Sequence, residues 1–214
     1  MRVCTSLIVT LALASAVPLQ AQERIGSVQE ALGISGRLAG RSGPAGVNWI
    51  DDGQRYSYTL TNLRTRASEV RAYDPASAND ELLFDPGALT VPGTSEPLQY
   101  RSFAWAADSR HVVFQTDFRP VYRYSGVADF YVYGVEDESL VLAADDARTA
   151  EMSPDGALLA YERKGDLFVY DMDSEQERRL TSTASDVVWN GVFDWVYEEE
   201  FGLTQAWDWS PDGQ

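Results

Sequence analysis

Residues 150–181, AEMSPDGALLAYERKGDLFVYDMDSEQERRLT, contain two turns that separate three apolar or alternating stretches. The first turn is Ser-Pro-Asp-Gly, in which proline presets φ, aspartate bonds its own backbone and glycine accepts the left-handed conformation. The second turn is acidic and lies between two alternating stretches, which is the pattern of a hairpin. Consecutive strands joined by tight turns predict an antiparallel sheet.

The turn pattern occurs four times along the chain, in segments that begin at Val47, Phe103, Ala150 and Trp207. The turn aspartates are Asp52, Asp108, Asp155 and Asp212. They recur at roughly 50-residue intervals, which indicates a solenoid or a propeller. Short aromatic-rich strands without helical periodicity favour the propeller. We predict an all-β chain, a β-propeller of four-stranded blades. The fourth blade stops at residue 214, so we expect a longer protein.

A second repeated element, a hairpin, follows the turns. Two copies are clear, at residues 129–143 and 166–181, and both alternate apolar and polar residues around an acidic turn. A looser copy spans residues 58–73.

Comparing the repeats locates two insertions. The stretch from turn aspartate to hairpin is nearly twice as long in the second repeat, 108–129, as in the third, 155–166, and the surplus falls within residues 116–125. The stretch from hairpin to next turn is much longer after the third repeat than after the second, and that surplus includes residues 194–201. Because insertions in repeat folds form loops on one face, these two segments are the predicted functional surface.

The start of the chain has the features of an export signal. Residues 1–21 combine an early arginine, an apolar stretch and a small-residue exit, and the apolar stretch is too short to span a membrane. We expect an exported protein, periplasmic or secreted, with residues 22–46 as an amino-terminal segment and residues 47–214 as a partial propeller. Cys4, the only cysteine, lies in the signal, so no disulfide is expected.

The composition excludes several partners. A net charge of −16 argues against a nucleic acid or an anionic membrane, because phosphate recognition needs a basic surface. His111 is the only histidine and has no second histidine or cysteine beside it for a metal, so a structural role is expected. No phosphate loop, zinc signature or calcium loop occurs, and we predict neither a cofactor nor a metal.

Three consecutive carboxylates, Glu198, Glu199 and Glu200, lie in the second insertion among aromatic residues. Glutamate favours helix, and a short helical turn places neighbouring carboxylates on one side without aligning all three. Two acids facing one cleft suit an ammonium ion, which they bind through charge-assisted hydrogen bonds. A solvated helix face explains the triplet equally well, and the residues alone leave both interpretations open.

Residues 190–201, NGVFDWVYEEEF, followed by WDWSPDG at residues 207–213, resemble the dipeptidyl peptidase IV family of the prolyl oligopeptidase clan. The resemblance extends from about Val47 to the end, and residues 28–32 resemble the family's opening helical segment. It implies that Glu199 and Glu200 bind the free α-amino group of a peptide. It also implies that Arg123 contacts the carbonyl of the penultimate residue, although tyrosines flank Arg123 where some relatives have Trp and His.

The resemblance further implies a carboxy-terminal α/β-hydrolase domain that carries a catalytic Ser, Asp and His, and a possible homodimer. No G-x-S-x-G nucleophile elbow occurs in this sequence, so no catalytic residue is assigned and the chain alone is expected to be inactive. The predicted function is substrate recognition in an exported serine dipeptidyl peptidase that releases X-Pro or X-Ala dipeptides. The alternatives are a non-catalytic periplasmic propeller and a related tripeptidyl or acylaminoacyl peptidase.

Overall fold

The computed structural model describes residues 26–38, 43–64 and 67–213. The chain divides into two compact units, Met1–Gly43 and Pro44–Gln214. The first unit contains the helix α1, Val28–Leu38, at the position of the predicted opening helical segment. At the start of α1 the Ser27 hydroxyl accepts the backbone N–H of Glu30, and the Glu30 carboxylate accepts the backbone N–H of Gly26. The predicted signal, residues 1–21, lies outside the described residues.

Among its described residues, the second unit contains three antiparallel sheets, each of four strands in chain order. The first sheet is β1 Ala45–Ile50, β2 Arg55–Thr61, β3 Ser68–Asp74 and β4 Asn79–Phe84. The second is β5 Tyr100–Trp105, β6 His111–Pro120, β7 Gly126–Gly134 and β8 Leu140–Ala147. The third is β9 Thr149–Met152, β10 Leu158–Arg163, β11 Asp166–Asp171 and β12 Gln176–Arg179. These are the four-stranded sheets predicted from the repeats.

One hairpin assignment is wrong. The clear copies at residues 129–143 and 166–181 are the third and fourth strands of their sheets, but residues 58–73 form the second and third strands of the first sheet. The true counterpart is the β3–β4 hairpin. Its turn is Asp-Pro-Ala-Ser, in which Asp74 accepts hydrogen bonds from the backbone of Ala76 and the hydroxyl of Ser77. That turn lacks the acidic run by which the other two hairpins were recognised.

The core lies between successive sheets. Val112 and Phe114 of β6 pack with Phe84 against the first sheet, whereas Val113, between them, packs with Leu159 towards the third. This alternation follows from the two-residue period of a strand, so the middle sheet is apolar on both faces. Burying each large apolar side chain contributes about 1.5–3 kcal/mol.

The repeated turns also contact one another. The hydroxyl of Ser109 accepts a hydrogen bond from the backbone N–H of Asp51 in the preceding blade, at 3.0 Å. In the same turn Asp108 lies 2.5 Å from Nδ1 of His111, the first residue of β6. Burial raises the pKa of Asp108, but the hydrogen bonds from His111 and the backbone outweigh it and hold the pKa below its usual range. His111 therefore occupies a structural position in the blade.

Gly156, in the turn before β10, lies directly against this Asp108–His111 pair. Its φ is +78°, and a Cβ added to it would lie 2.0 Å from Oδ2 of Asp108. Gly53 occupies the equivalent turn of the first repeat with φ +79°, but nothing lies within 4 Å of its added Cβ. The two glycines thus share a backbone conformation and differ in their surroundings.

We expect Gly156→Ala to destabilise the protein more than Gly53→Ala. Both substitutions lower the free energy of unfolding by about 1–2 kcal/mol, because they place a residue with a Cβ in the left-handed conformation. Gly156→Ala also displaces Asp108, and overpacking of this kind costs about 1–3 kcal/mol more. Urea unfolding of both variants measures the difference, and equal loss of unfolding free energy would show that the close approach of the two turns is unimportant.

Candidate functional site

The first insertion extends a hairpin beyond its sheet. Strand β6 continues to Pro120, β7 begins at Gly126, and residues 121–125 form the turn between them. The carbonyl of Ser125 closes this turn by accepting the backbone N–H groups of Val121 and Tyr122, each at 3.0 Å. A Cβ at Gly126 would lie 2.3 Å from the carbonyl oxygen of Arg119, so only glycine fits where the strands meet. Part of the predicted insertion is therefore strand, and only its tip is loop.

The second insertion contains a short helix, α2, Trp195–Phe201, as expected for the glutamate triplet. Asp194 caps its start by accepting the backbone N–H groups of Val196 and Tyr197 at 3.0 and 3.2 Å. Gly202 ends it in the left-handed conformation, with φ of +67°. The two cap residues limit the helix to about two turns, and all three glutamates fall within it.

Glu198 joins the two insertions. Its side chain is 2% exposed and accepts hydrogen bonds from the backbone N–H of Tyr124 at 3.1 Å and from the hydroxyl of Ser125 at 2.6 Å. Hydrogen bonds to a charged acceptor are stronger than neutral ones, and leaving a buried carboxylate unpaired is costly. The hairpin turn and α2 are therefore held together although they are far apart in the sequence.

The three predicted binding residues lie beside this junction. Nη1 of Arg123 is 3.0 Å from Oε2 of Glu199, whose side chain is 23% exposed. Contacts with the side chain of Tyr124 and with Glu199 raise the pKa of Arg123 above its ordinary value. Glu200 is exposed and has no side-chain hydrogen bond or ion pair with any described residue. The structure thus brings Arg123 and Glu199 together and leaves the neighbouring carboxylate open to solvent.

A cavity of about 310 Å³ lies beside the same junction. It is lined by Tyr122, Arg148, Val187, Trp189, Val192, Phe193, Asp194 and Trp195. Arg148 is the one cation among these residues, and its Nε lies 3.9 Å from Oε2 of the buried Glu162. The pKa of Glu162 is raised above its ordinary value because burial outweighs the lowering effects of the hydrogen bond from the Gly165 N–H and of the charge of Arg148.

Sequence reasoning did not identify the roles of Glu198, Ser125 or Arg148. The hairpin insertion and the helix were both found, but nothing in the linear pattern indicates which glutamate faces the protein. Helical geometry excludes alignment of all three, and only the packed structure shows that the first points inwards. Across residues 26–38, 43–64 and 67–213, no helix is long and apolar enough to cross a membrane, and no group of three His, Cys, Asp or Glu side chains is arranged for a metal.

Residues 106–214 match the family described as the dipeptidyl peptidase IV (DPP IV) N-terminal region. A putative dipeptidyl aminopeptidase of Schizosaccharomyces pombe is 31% identical over 173 residues, which are 78% of this chain and 21% of that protein. Dipeptidyl peptidase 4 of Trichophyton tonsurans is 35% identical over 146 residues, 66% of this chain and 19% of that one. The chain spans about a fifth of the length of these curated relatives.

A solved structure has the same architecture. The crystal structure of dipeptidyl peptidase 4 from Porphyromonas gingivalis aligns with a TM-score of 0.65 and 28% identity, covering 84% of this chain and 25% of that one. Together with the three four-stranded sheets, this match confirms the predicted all-β propeller fold.

We expect Glu198→Ala to release the hairpin turn and to accelerate tryptic cleavage after the exposed Arg123 about tenfold or more. Each buried hydrogen-bond group left without its partner costs about 1–3 kcal/mol, and about 1.4 kcal/mol changes a local opening equilibrium tenfold. Cleavage rates follow from mass spectrometry of timed digests. Glu200→Ala, on the same helix, is the matched control and should be cut at the native rate.

Cleavage after Arg163, at the end of β10, distinguishes local opening from general unfolding. If both sites are cut faster in Glu198→Ala, the variant is globally destabilised. If neither is, the hydrogen bonds to Glu198 do not hold the turn.

Proposed function

The chain belongs to the dipeptidyl peptidase IV family, and from this premise we propose that its protein releases X-Pro or X-Ala dipeptides from peptide amino termini. Residues 47–214 are the part that holds the amino terminus of the substrate. The observation that carries this proposal is the ion pair between Glu199 and Arg123 where the two insertions meet, with Glu200 as the next residue of α2. The amino-terminal sequence of the chain supports export to the periplasm or the medium.

The chemistry of these residues suits a peptide amino terminus. An ammonium group has three N–H donors, and two carboxylates accept from it in charge-assisted hydrogen bonds. Glu200 is exposed to solvent, and Glu199, already paired with Arg123 at 3.0 Å, retains acceptor capacity for a second donor. The guanidinium of Arg123 keeps further N–H donors for a peptide carbonyl, since one nitrogen suffices for Glu199.

Such a site determines which peptide bond is cleaved by fixing the position of the substrate amine. Fixing the amine at a set distance from the nucleophile leaves only the bond after the second residue within reach, and this positioning converts geometry into specificity. The serine nucleophile and its Asp and His partners are proposed to lie outside this sequence. The contribution of this chain is to bind, orient and limit the substrate.

Glu199→Gln and Glu200→Gln should each lower kcat/KM for Gly-Pro-p-nitroanilide by about 30-fold or more, because truncating one partner of a close charge pair costs about 2–5 kcal/mol. The protein expressed from its complete gene is assayed by release of p-nitroaniline. Acetyl-Gly-Pro-p-nitroanilide, which has no free amine, is the matched substrate and should be hydrolysed slowly by all three proteins.

The same assay separates the alternatives. Absence of hydrolysis by the unsubstituted protein would favour a non-catalytic propeller. Equal hydrolysis of the acetylated and free substrates would favour an acylaminoacyl peptidase, because the paired carboxylates would then have no amine to bind.

Arg123→Lys tests the second half of the site. Lysine keeps the positive charge beside Glu199 but loses the planar array of donors. We expect kcat/KM for Gly-Pro-p-nitroanilide to fall about tenfold, as for the loss of one hydrogen bond to a charged group. Arg119→Lys, on the same hairpin and paired with Asp146, is the control and should retain native kinetics. Native kinetics for Arg123→Lys would show that the guanidinium makes no contact that lysine lacks.

A further inference from the structure

The cavity beside α2 is lined by one cation, the largely buried side chain of Arg148. The side chain of Arg148 is 7% exposed, and its guanidinium donates no hydrogen bond to any described residue. Its one ion pair with a described residue, Glu162, spans 3.9 Å and is too long for a hydrogen bond. Among the described residues, Trp105 Nε1 is the one buried side-chain nitrogen or oxygen without a hydrogen-bond partner, so the N–H groups of Arg148 are accessible and available to a ligand.

Two aromatic rings hold this guanidinium in place. Its central carbon lies 5.3 Å from the ring centroid of Trp189 and 5.7 Å from that of Tyr122, within the range of cation–π contacts. These contacts use the faces of the π systems and leave the N–H groups of Arg148 free. The group that best matches a planar array of N–H donors is a carboxylate, which accepts two parallel hydrogen bonds.

We propose that this cavity receives the side chain of the first residue of the substrate, and that Arg148 favours Asp or Glu at that position. The inference rests on the proposed function, because it takes the α-amino group to be held by Glu199 and Glu200. The ligand class is a peptide with a free amine and an acidic first side chain.

The position of the cavity supports this assignment. Trp195, in its wall, precedes Glu199 by four residues in α2, a spacing that places two residues on one helix face with their Cβ atoms about 5–6 Å apart. Tyr122, in the opposite insertion, adjoins Arg123, which pairs with Glu199. The first side chain of a peptide is attached to the carbon that carries the amine. An amine held at Glu199 therefore brings that side chain to the mouth of the cavity.

The volume of the cavity and the state of its one carboxylate are also compatible with an acidic side chain as the ligand. Its volume, about 310 Å³, is at the lower limit of ligand pockets, which span about 300–1,000 Å³, and suits one side chain. Asp194 is the only carboxylate among the lining residues, and its Oδ1 already accepts two backbone N–H groups of α2. Trp189, Phe193 and Trp195 supply apolar surface in the wall of the cavity that Arg148 lines.

The test compares two substrates in matched variants. Glu-Pro-p-nitroanilide carries the acidic side chain, and Met-Pro-p-nitroanilide carries an unbranched side chain of similar length without charge. Arg148→Gln should reduce the ratio of their kcat/KM values, Glu over Met, by about tenfold, as for loss of a hydrogen bond to a charged group. Loss of both activities in parallel, with an unchanged ratio, would mean that Arg148 only supports Tyr122 and would overturn the proposal.

A second pair of variants avoids the buried residue. Val187 lines the cavity and is 90% exposed, so its replacement does not disturb the core. Val187→Glu should lower the Glu over Met ratio by repulsion, and Val187→Gln should leave it unchanged. Equal ratios in the two variants would show that the acidic side chain does not enter this cavity.

Calorimetric binding of the dipeptides Glu-Pro and Met-Pro gives the same comparison without turnover. If Gly-Pro-p-nitroanilide is hydrolysed but neither ratio responds to Arg148→Gln, only the cavity assignment fails. If Gly-Pro-p-nitroanilide is not hydrolysed and neither dipeptide binds, the proposed function fails and the cavity assignment fails with it.

Discussion

The buried carboxylate of Glu198 is the interaction on which the candidate site depends. It accepts hydrogen bonds from Tyr124 and Ser125, so it fastens a hairpin tip from the second blade to a helix that follows the third. The tip is mostly exposed, and α2 is too short to be stable alone. Arg123 and Glu199 each adjoin one side of this junction, and their side chains are in contact at 3.0 Å.

The blades supply the rigidity that this junction needs. Strand β6 packs apolar side chains on both faces, and the same strand runs on to Pro120, where it carries the hairpin tip out of the sheet. The position of the tip is therefore set by a strand whose other end lies in the core. The turns of the second and third blades also approach each other closely where Gly156 lies against Asp108. Functional residues of proteins are often on loops, and here the candidate loop is positioned by a strand that is anchored in two cores.

Much of this organisation can be predicted from the sequence. The features that could not be predicted were missed for identifiable physical reasons. Turns such as Ser-Pro-Asp-Gly are local, since each residue has its own conformational role, and so the repeats and insertions could be found without tertiary information. The prediction places the first hairpin one strand too early because the β3–β4 turn, built by Asp74 and Ser77, lacks the acidic run that marks the other two hairpins. The roles of Glu198 and Arg148 depend on side-chain direction and on partners distant in sequence. No local pattern encodes either property.

The glutamate triplet illustrates how one sequence feature divides into separate tasks. Successive helical residues are rotated by about 100°, so three adjacent carboxylates cannot share one environment. Glu198 turns into the protein and is satisfied by neutral donors, Glu199 meets the cation Arg123, and Glu200 remains exposed. With a single arginine against three carboxylates, the site retains excess negative charge, and like charges this close repel. Under the proposed function, an ammonium group bound here would relieve that repulsion while forming its own hydrogen bonds. The same excess disfavours an acidic side chain unless a second cation lies nearby, and Arg148 is the cation that the fold places there.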